Sequence, residues 1–182
     1  ATEKQVAEIA IGGKPAGIAL SADGRTAYVA APDGREVIAV DTASRSVVKR
    51  APVGKGPLGI AVNPKTGAIY VADWYEHRLY AVDPATLAVT ATVPTGQSPS
   101  GVAVTADGAT ILTADRDSNQ VSVIDAATFK VRSTIATGER PFGVTIDEAA
   151  GRAYTANVAA NTVTVIDLNL RARLSDVPVG LR

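Results

Sequence analysis

The sequence contains no cysteine, no methionine, one tryptophan and one histidine. Without cysteine the chain has no disulfide, no thiolate metal site and no cysteine nucleophile. His77 has no second histidine to complete a typical metal or haem site, and no Walker loop, His-Glu-x-x-His or Gly-x-Ser-x-Gly motif is present. We therefore predict no catalytic residue, no metal site and no cofactor, and lean towards a protein that is not an enzyme.

An excess of charge of either sign is also missing. Lys plus Arg and Asp plus Glu each number 18, so the formal net charge is zero. This balance argues against a general affinity for nucleic acid or anionic membranes. No apolar run approaches the length of a membrane span, so we predict no membrane insertion. The chain opens on Ala-Thr-Glu-Lys without Met, which fits a processed or trimmed N-terminus.

What the sequence does have is a strict repeat of 42 residues. Proline recurs at 15, 57, 99 and 141, and glycine two residues later, with no insertion or deletion between the four copies. Each copy holds four short apolar runs rich in Val, Ile and Ala. The first two runs are often joined by Asp-Gly, as at Asp23-Gly24 and Asp107-Gly108, which is a strong hairpin signal.

Four short antiparallel strands in a repeat of about 40 residues are typical of a propeller blade. We therefore predict an all-β fold, a single β-propeller over residues 5–182. Its four blades are expected at about 12–53, 54–95, 96–137 and 138–179. Residues 5–11 align with the fourth strand of every copy, so an extra N-terminal outer strand is expected there.

The repeat units resemble those of the YVTN-family β-propellers. The resemblance rests on segments such as Pro141 to Val144, Ala153 to Asn157 and Asn161 to Asp167, and extends over residues 5–180. It implies an exported bacterial or archaeal protein of the surface-layer type, located in the periplasm, at the cell surface or outside the cell. It also implies kinship with propellers of quinoprotein and haem oxidoreductases, and a ring of more blades than this chain has.

Four blades leave three arrangements open. They close alone, they are part of a longer chain, or two chains combine into one ring as a homodimer. A partial ring would expose the apolar faces of its end blades, and such patches usually bind a partner. We therefore favour dimerisation or a longer chain over self-closure.

Candidate binding residues lie on the loops. In a four-stranded blade, the loop after the second strand and the loop between blades emerge at the same end, and here these loops differ between copies. The second copy carries the only Trp and His. Since Trp, Tyr and Arg are frequent at binding hot spots, we predict a ligand or partner surface formed by Trp74, Tyr75, His77, Arg78, Arg116 and Arg140. The alternative is that the aromatic residues cover a blade seam and the charged ones form an ordinary solvated surface.

Two further patterns favour structural roles. Asp73, Asp115 and Asn157 occupy equivalent positions at the end of the second strand, and we predict that they cap turns. Aspartate at 41, 83, 125 and 167 ends each third strand and has the same predicted role. The segment Gly54 to Gly59 matches G-x-G-x-x-G literally, but a proline interrupts it and a strand follows, so we predict no nucleotide site.

The function expected from this sequence is a non-catalytic binding or scaffold propeller that engages a protein partner or itself. One alternative is a propeller subunit or fragment associated with a quinoprotein or haem oxidoreductase. A weaker one is a carbohydrate-binding propeller that uses Trp74 and Tyr75 as stacking platforms. Fold similarity does not decide among them.

Overall fold

The computed structural model describes residues 4–180 and consists of β-strands joined by tight turns. The only helical element in this range is a short 3-10 turn at Arg116–Ser118. The first eight strands are β1 (Gly17–Leu20), β2 (Thr26–Ala31), β3 (Glu36–Asp41), β4 (Ser46–Pro52), β5 (Pro57–Val62), β6 (Ile69–Asp73), β7 (Arg78–Val82) and β8 (Val89–Pro94). The second eight are β9 (Pro99–Val104), β10 (Thr110–Asp115), β11 (Gln120–Asp125), β12 (Lys130–Ala136), β13 (Pro141–Asp147), β14 (Arg152–Asn157), β15 (Thr162–Asp167) and β16 (Ala172–Pro178).

These strands form four separate antiparallel sheets, each of four strands in chain order. We name the sheets blade 1 (β1–β4), blade 2 (β5–β8), blade 3 (β9–β12) and blade 4 (β13–β16). Every ladder joins neighbouring strands, as in the pairing of Thr26 with Asp41 between β2 and β3. The predicted all-β architecture of four four-stranded antiparallel blades is confirmed.

An aspartate at the end of each third strand fixes the turn to the fourth strand. Its Oδ1 accepts a hydrogen bond from a backbone N–H three residues later, at 2.6 Å for Asp41, 2.7 Å for Asp83, 2.6 Å for Asp125 and 2.8 Å for Asp167. These bonds stabilise the ionised carboxylate, so they hold the pKa of Asp41 and Asp83 below the ordinary value. The turn-capping role predicted for the four residues is confirmed.

The inner strands of the blades pack side by side in the order β1, β5, β9, β13. A glycine makes each contact possible, since a Cβ at Gly17 would lie 2.3 Å from the Leu58 carbonyl oxygen. A Cβ at Gly59 would lie 2.0 Å from the Ser100 carbonyl oxygen, and a Cβ at Gly101 would lie 2.6 Å from the Phe142 carbonyl oxygen. The repeated glycine therefore permits backbone to approach backbone near the central axis.

The core lies between blades rather than within them. One cluster joins blade 1 to blade 2 through Tyr28, Val37 and Ile69, and another joins blades 2 and 3 through Tyr70, Leu79 and Ile111. A third joins blades 3 and 4 around Leu112, Val121 and Ile166. Strands in the middle of the stack are therefore apolar on both faces.

The row of blades has two open ends. At the first, Ile18 and Leu20 of β1 are 69% and 57% exposed. Their counterparts in blade 2, Ile60 and Val62, are buried and partly buried in the cluster that joins blades 1 and 2. At the other end, a Cβ at Gly143 would meet nothing within 4 Å, unlike the three equivalent glycines. Each end thus lacks the neighbouring blade that the interior of the row provides.

The N-terminal segment differs from the prediction of an extra outer strand at residues 5–11. These residues have no regular secondary structure, yet Ile9 and Ile11 pack against the outward face of blade 1. They align with Ala51 and Val53, which pack in the same way against blade 2. The segment takes the place of a fourth strand but forms no ladder. A fourth strand pairs with the third strand of its own blade, and residues 4–180 offer no free third strand to this segment.

Candidate functional site

Two loops of each blade lie side by side at one end of the molecule. The N–H of the residue after the second strand donates to a carbonyl of the between-blade loop, from Trp74 to Gly56 at 2.9 Å and from Arg116 to Ser98 at 3.2 Å. The same pairing joins Val158 to Arg140 at 3.0 Å. These bonds bring the two variable loops together at one end of the blade, as predicted, and this loop end carries the candidate binding residues.

Buried polar side chains anchor these loop pairs. Asp73 is fully buried, and its Oδ2 accepts hydrogen bonds from the N–H groups of Lys55 and Gly56 at 2.6 and 2.9 Å. Its Oδ1 accepts from the N–H groups of Tyr75 and Glu76 at 3.0 and 2.8 Å. One carboxylate therefore satisfies donors of both loops, which confirms the turn-capping role and explains its burial.

Asp115 and Asn157 hold the same place with different partners. Asp115 accepts hydrogen bonds from Ser122 Oγ at 2.5 Å and the Gly96 N–H at 3.0 Å, whereas Asn157 donates to Thr164 Oγ1 at 2.8 Å. Burial raises the pKa of the Asp115 carboxyl above its ordinary value, and the hydrogen bonds it accepts oppose that rise. The turn-capping prediction is wrong for Asp115, whose side chain makes no capping hydrogen bond to the turn that follows it. Asp115 and Asn157 instead hydrogen-bond to Ser122 and Thr164 on the neighbouring third strands.

The aromatic residues meet across the loop end. The rings of Trp74 in blade 2 and Phe142 in blade 4 are 6.5 Å apart between centroids and tilted by 55°. The guanidinium of Arg116 in blade 3 lies 5.3 Å from the Trp74 ring centroid, in cation–π contact. Trp74 therefore joins side chains of three blades around the end of the central axis.

A cavity of about 360 Å³ opens beside this contact. Its lining comes from blades 1, 2 and 4, and consists of Pro32, Asp33, Gly56, Leu58, Trp74, Tyr75 and Phe142. We call it the mouth cavity. Every lining residue except Asp33 is uncharged, and three of the seven are aromatic.

The six predicted binding residues do not form one cluster. Trp74 and Arg116 are in contact, and Tyr75, which is 67% exposed, lines the mouth cavity beside Trp74. The other three residues help to hold the loops. His77 Nδ1 accepts a hydrogen bond from the Ser98 N–H at 3.0 Å, Arg78 Nε donates to the Glu76 carbonyl at 3.3 Å, and the Arg140 N–H donates to Asn119 Oδ1 at 2.8 Å.

Sequence reasoning missed Asp33, Leu58 and Phe142 as parts of this site. A signal was present for the latter two, since the residue after the repeated proline is Ala16, Leu58, Ser100 and Phe142 in successive copies, a variable position between fixed ones. No equivalent signal marks Asp33, an ordinary turn residue whose place in the cavity depends on the packing of blade 1 against blade 2.

The described residues contain no group of three or more His, Cys, Asp or Glu side chains that could hold a metal ion. Within residues 4–180 no helix is both long and apolar enough to cross a membrane. The geometry at the loop end is suited to binding through aromatic surfaces.

The sequence resembles a known family over part of its length. Residues 65–152 match the YNCE-like β-propeller family. The fold is a β-propeller. No curated protein matches the sequence at a significant level.

Solved structures share this propeller fold. Hydrazine synthase of Kuenenia stuttgartiensis superposes with a TM-score of 0.83 at 24% identity, over 90% of this chain and 49% of that one. A functionally unknown protein from Desulfotomaculum acetoxidans gives 0.80 at 14% identity, over 92% of this chain and 57% of that one. The propeller chain described here thus spans about half the length of either structure, and the likeness concerns the fold alone.

Proposed function

We propose that this propeller is a non-catalytic binding scaffold that works outside the cytoplasm and engages protein partners through its open ends, first of all a second copy of itself. The exposed sheet face of blade 4 carries this proposal. The resemblance of the repeats to the YVTN type supports the location, because such repeats are common in exported proteins. The fold provides a rigid frame, and loops on such a frame are where binding residues usually lie.

The open face of blade 4 repeats surfaces that are interfaces elsewhere in the chain. Val163 of β15 is half-buried, whereas its counterparts Leu79 and Val121 are fully buried by the next blade. Tyr154 likewise aligns with the buried Tyr28 and Tyr70. At the three internal interfaces the equivalent face packs against the next blade, including apolar residues of its inner strand. The open face of blade 4 should therefore fit the inner strand of another blade.

Blade 1 offers an apolar inner strand at the opposite end of the chain. Ile18 and Leu20 are the exposed counterparts of residues that fill the internal interfaces. Two copies joined head to tail at both ends would form a ring of eight blades, within the range of about four to eight that propellers use. The contact would repeat a geometry that the chain already forms three times.

The N-terminal segment must move for this ring to close. Ile9 and Ile11 occupy the surface of blade 1 that the fourth strand of an incoming blade would cover. In blade 4 the aligned residues are Val177 and Val179, which are exposed. The segment in one chain and β16 of the second copy therefore compete for one surface.

Sedimentation and native mass spectrometry of the whole chain test the proposal. We expect a dimer of the 18.6 kDa chain, and Val163→Glu should leave a folded monomer because it places a charge in the interface. Val48→Glu is the matched control, since Val48 is exposed on outer strand β4, and it should leave the dimer intact. Removing residues 1–11 should lower the protein concentration at which the dimer forms, because the segment that competes with β16 is then absent.

A wild-type chain that stays monomeric up to its solubility limit, with or without residues 1–11, would overturn the second-copy proposal. Equal effects of Val163→Glu and Val48→Glu would do the same. Circular dichroism of each variant separates loss of assembly from loss of the fold.

A second candidate function is that of a propeller subunit or fragment of an oxidoreductase. The observation that favours it is the superposition on hydrazine synthase, a protein whose name denotes an enzyme. This candidate predicts visible absorbance from a quinone or haem group in protein purified from its natural source. A colourless preparation of the same chain would count against it.

A further inference from the structure

We propose that the mouth cavity binds an organic cation, specifically a small quaternary or alkylated ammonium group. The site lies within one chain, because its lining comes from blades 1, 2 and 4 of the same copy. It therefore does not rest on assembly with a second copy, and either proposal can fail without the other.

The aromatic lining provides the attraction. Trp74, Tyr75 and Phe142 line the same cavity of about 360 Å³, and Tyr75 and Phe142 are 67% and 45% exposed. The face of an aromatic ring carries partial negative charge, and Trp is the strongest of the three rings in cation–π contact. Alkylated ammonium groups suit such a site, since their weakly hydrated surface also gains from burial against apolar rings.

The electrostatics of the lining have the matching sign. Asp33 is the single charged residue among the seven that form the cavity. One carboxylate beside aromatic faces complements one organic cation. A metal ion would require several oxygen or nitrogen ligands, which the lining does not offer.

Three cations near the cavity are already paired with carboxylates. Lys14 Nζ is 2.9 Å from Asp33, Lys55 Nζ is 3.5 Å from Glu76, and Arg116 Nη1 is 2.6 Å from Asp117. Each pair removes a local excess of positive charge. Arg116 also shows directly that the Trp74 ring accepts a cation in this fold.

Lys14 is the group that a ligand must displace from Asp33. Its side chain is 83% exposed, and exposed ion pairs of this kind contribute little to stability. An incoming ammonium group can take its place next to the carboxylate at small cost. The affinity of the site should consequently depend in opposite directions on the charges of residues 14 and 33.

Trp74 fluorescence reports on this cavity directly, because Trp74 is the only tryptophan in the chain. The probe is choline, and its control is 3,3-dimethyl-1-butanol, which has the same shape without the charge. We expect choline to cause a saturable change of Trp74 fluorescence. The neutral alcohol should bind at least about tenfold more weakly than choline, because it lacks the cation–π attraction. Isothermal titration calorimetry provides a second measurement that does not depend on fluorescence.

Variants assign the effect to the cavity. Asp33→Asn should weaken choline binding several-fold, and Lys14→Gln should strengthen it, because the carboxylate is then free. Asp23→Asn is the matched control, since Asp23 is an exposed turn residue of the same blade and lies outside the cavity lining. It should leave the affinity unchanged.

The proposal is overturned if choline and the neutral alcohol bind alike, if neither binds by calorimetry, or if Asp33→Asn has no more effect than Asp23→Asn. Binding of methyl glucoside without binding of choline would also overturn it, and would favour the carbohydrate-binding alternative.

Discussion

The peptide N–H of Gly56 donates a hydrogen bond of 2.9 Å to the buried Oδ2 of Asp73. This bond joins the between-blade loop of blade 2 to the loop that carries Trp74 and Tyr75. The same carboxylate accepts three further backbone N–H groups. One side chain thus positions the wall of the mouth cavity that blade 2 supplies.

Replacing Asp73 should destabilise the protein strongly. Asp73→Ala leaves four backbone donors without their acceptor, and we expect the free energy of unfolding to fall by about 2–4 kcal/mol. Asp33→Ala, an exposed position of the equivalent loop in blade 1, should cost less than about 0.5 kcal/mol. Urea unfolding followed by circular dichroism measures both. Similar losses in the two variants would show that Asp73 is not an anchor.

Gly56 should control the position of the Tyr75 ring. A Cβ at Gly56 would lie 2.4 Å from Tyr75 Cδ2, and the backbone there does not have a positive φ. Gly56→Ala should therefore move the ring with little loss of stability, because Tyr75 is mostly exposed. We expect altered Trp74 fluorescence and weaker choline binding with a urea midpoint close to that of the wild type. A crystal structure with Tyr75 unmoved would contradict this.

Asp115 should make its own contribution to the pH dependence of stability. Its pKa in the folded protein lies above the ordinary value of 3.8, because burial disfavours the charged carboxylate. At low pH the carboxyl is neutral in both the folded and the unfolded protein and costs nothing. As the pH rises from the unfolded pKa through the folded pKa, the folded state loses stability relative to the unfolded state. Asp115→Asn removes this dependence, and asparagine already occupies the equivalent position, Asn157, in blade 4. The stability of the wild type relative to the variant should therefore decrease from pH 3 to pH 7. Measuring the difference cancels acid-side losses at Asp41 and Asp83, which both proteins share. A difference that stays constant or increases would reject this assignment.

The two valines at equivalent places in β11 and β15 should respond differently to truncation. Val121→Ala opens a cavity between blades 3 and 4 and should cost about 2 kcal/mol, whereas Val163→Ala on the open face should cost less than about 1 kcal/mol in the monomer. Urea unfolding at low protein concentration measures both. If the two costs are equal in a confirmed monomer, blade 4 is covered by some other part of the protein. If Val163→Ala becomes costlier as the concentration rises, the covering element is a second copy.

The architecture was predictable because the residues that define the strands and turns of a blade lie within one repeat. The spacing of proline, glycine and aspartate sets the strand lengths, and Asp83 or Asp125 caps its turn through bonds to residues only a few positions away. The segment at residues 5–11 shows the limit of such local reasoning. Its sequence matches a fourth strand, but a strand forms only where another strand offers its backbone.

The candidate site was predictable only in part. Trp74 and Tyr75 stood out by composition, and the structure places both on the mouth cavity. His77 and Arg78 stood out for the same reason, but they hydrogen-bond to neighbouring loop backbone instead. Rare residue types indicate where a loop is unusual, and they do not indicate which way each side chain points.

By itself, the sequence determined the strands, the turns and the division into four blades, since these depend on contacts within 42 residues. Only the tertiary structure decided that Asp33, Trp74 and Phe142 share one cavity and that Val163 is open to solvent while Val121 is not. The physical reason is that these properties arise between blades. They depend on which blade packs against which, and the sequence of one repeat taken alone does not show that.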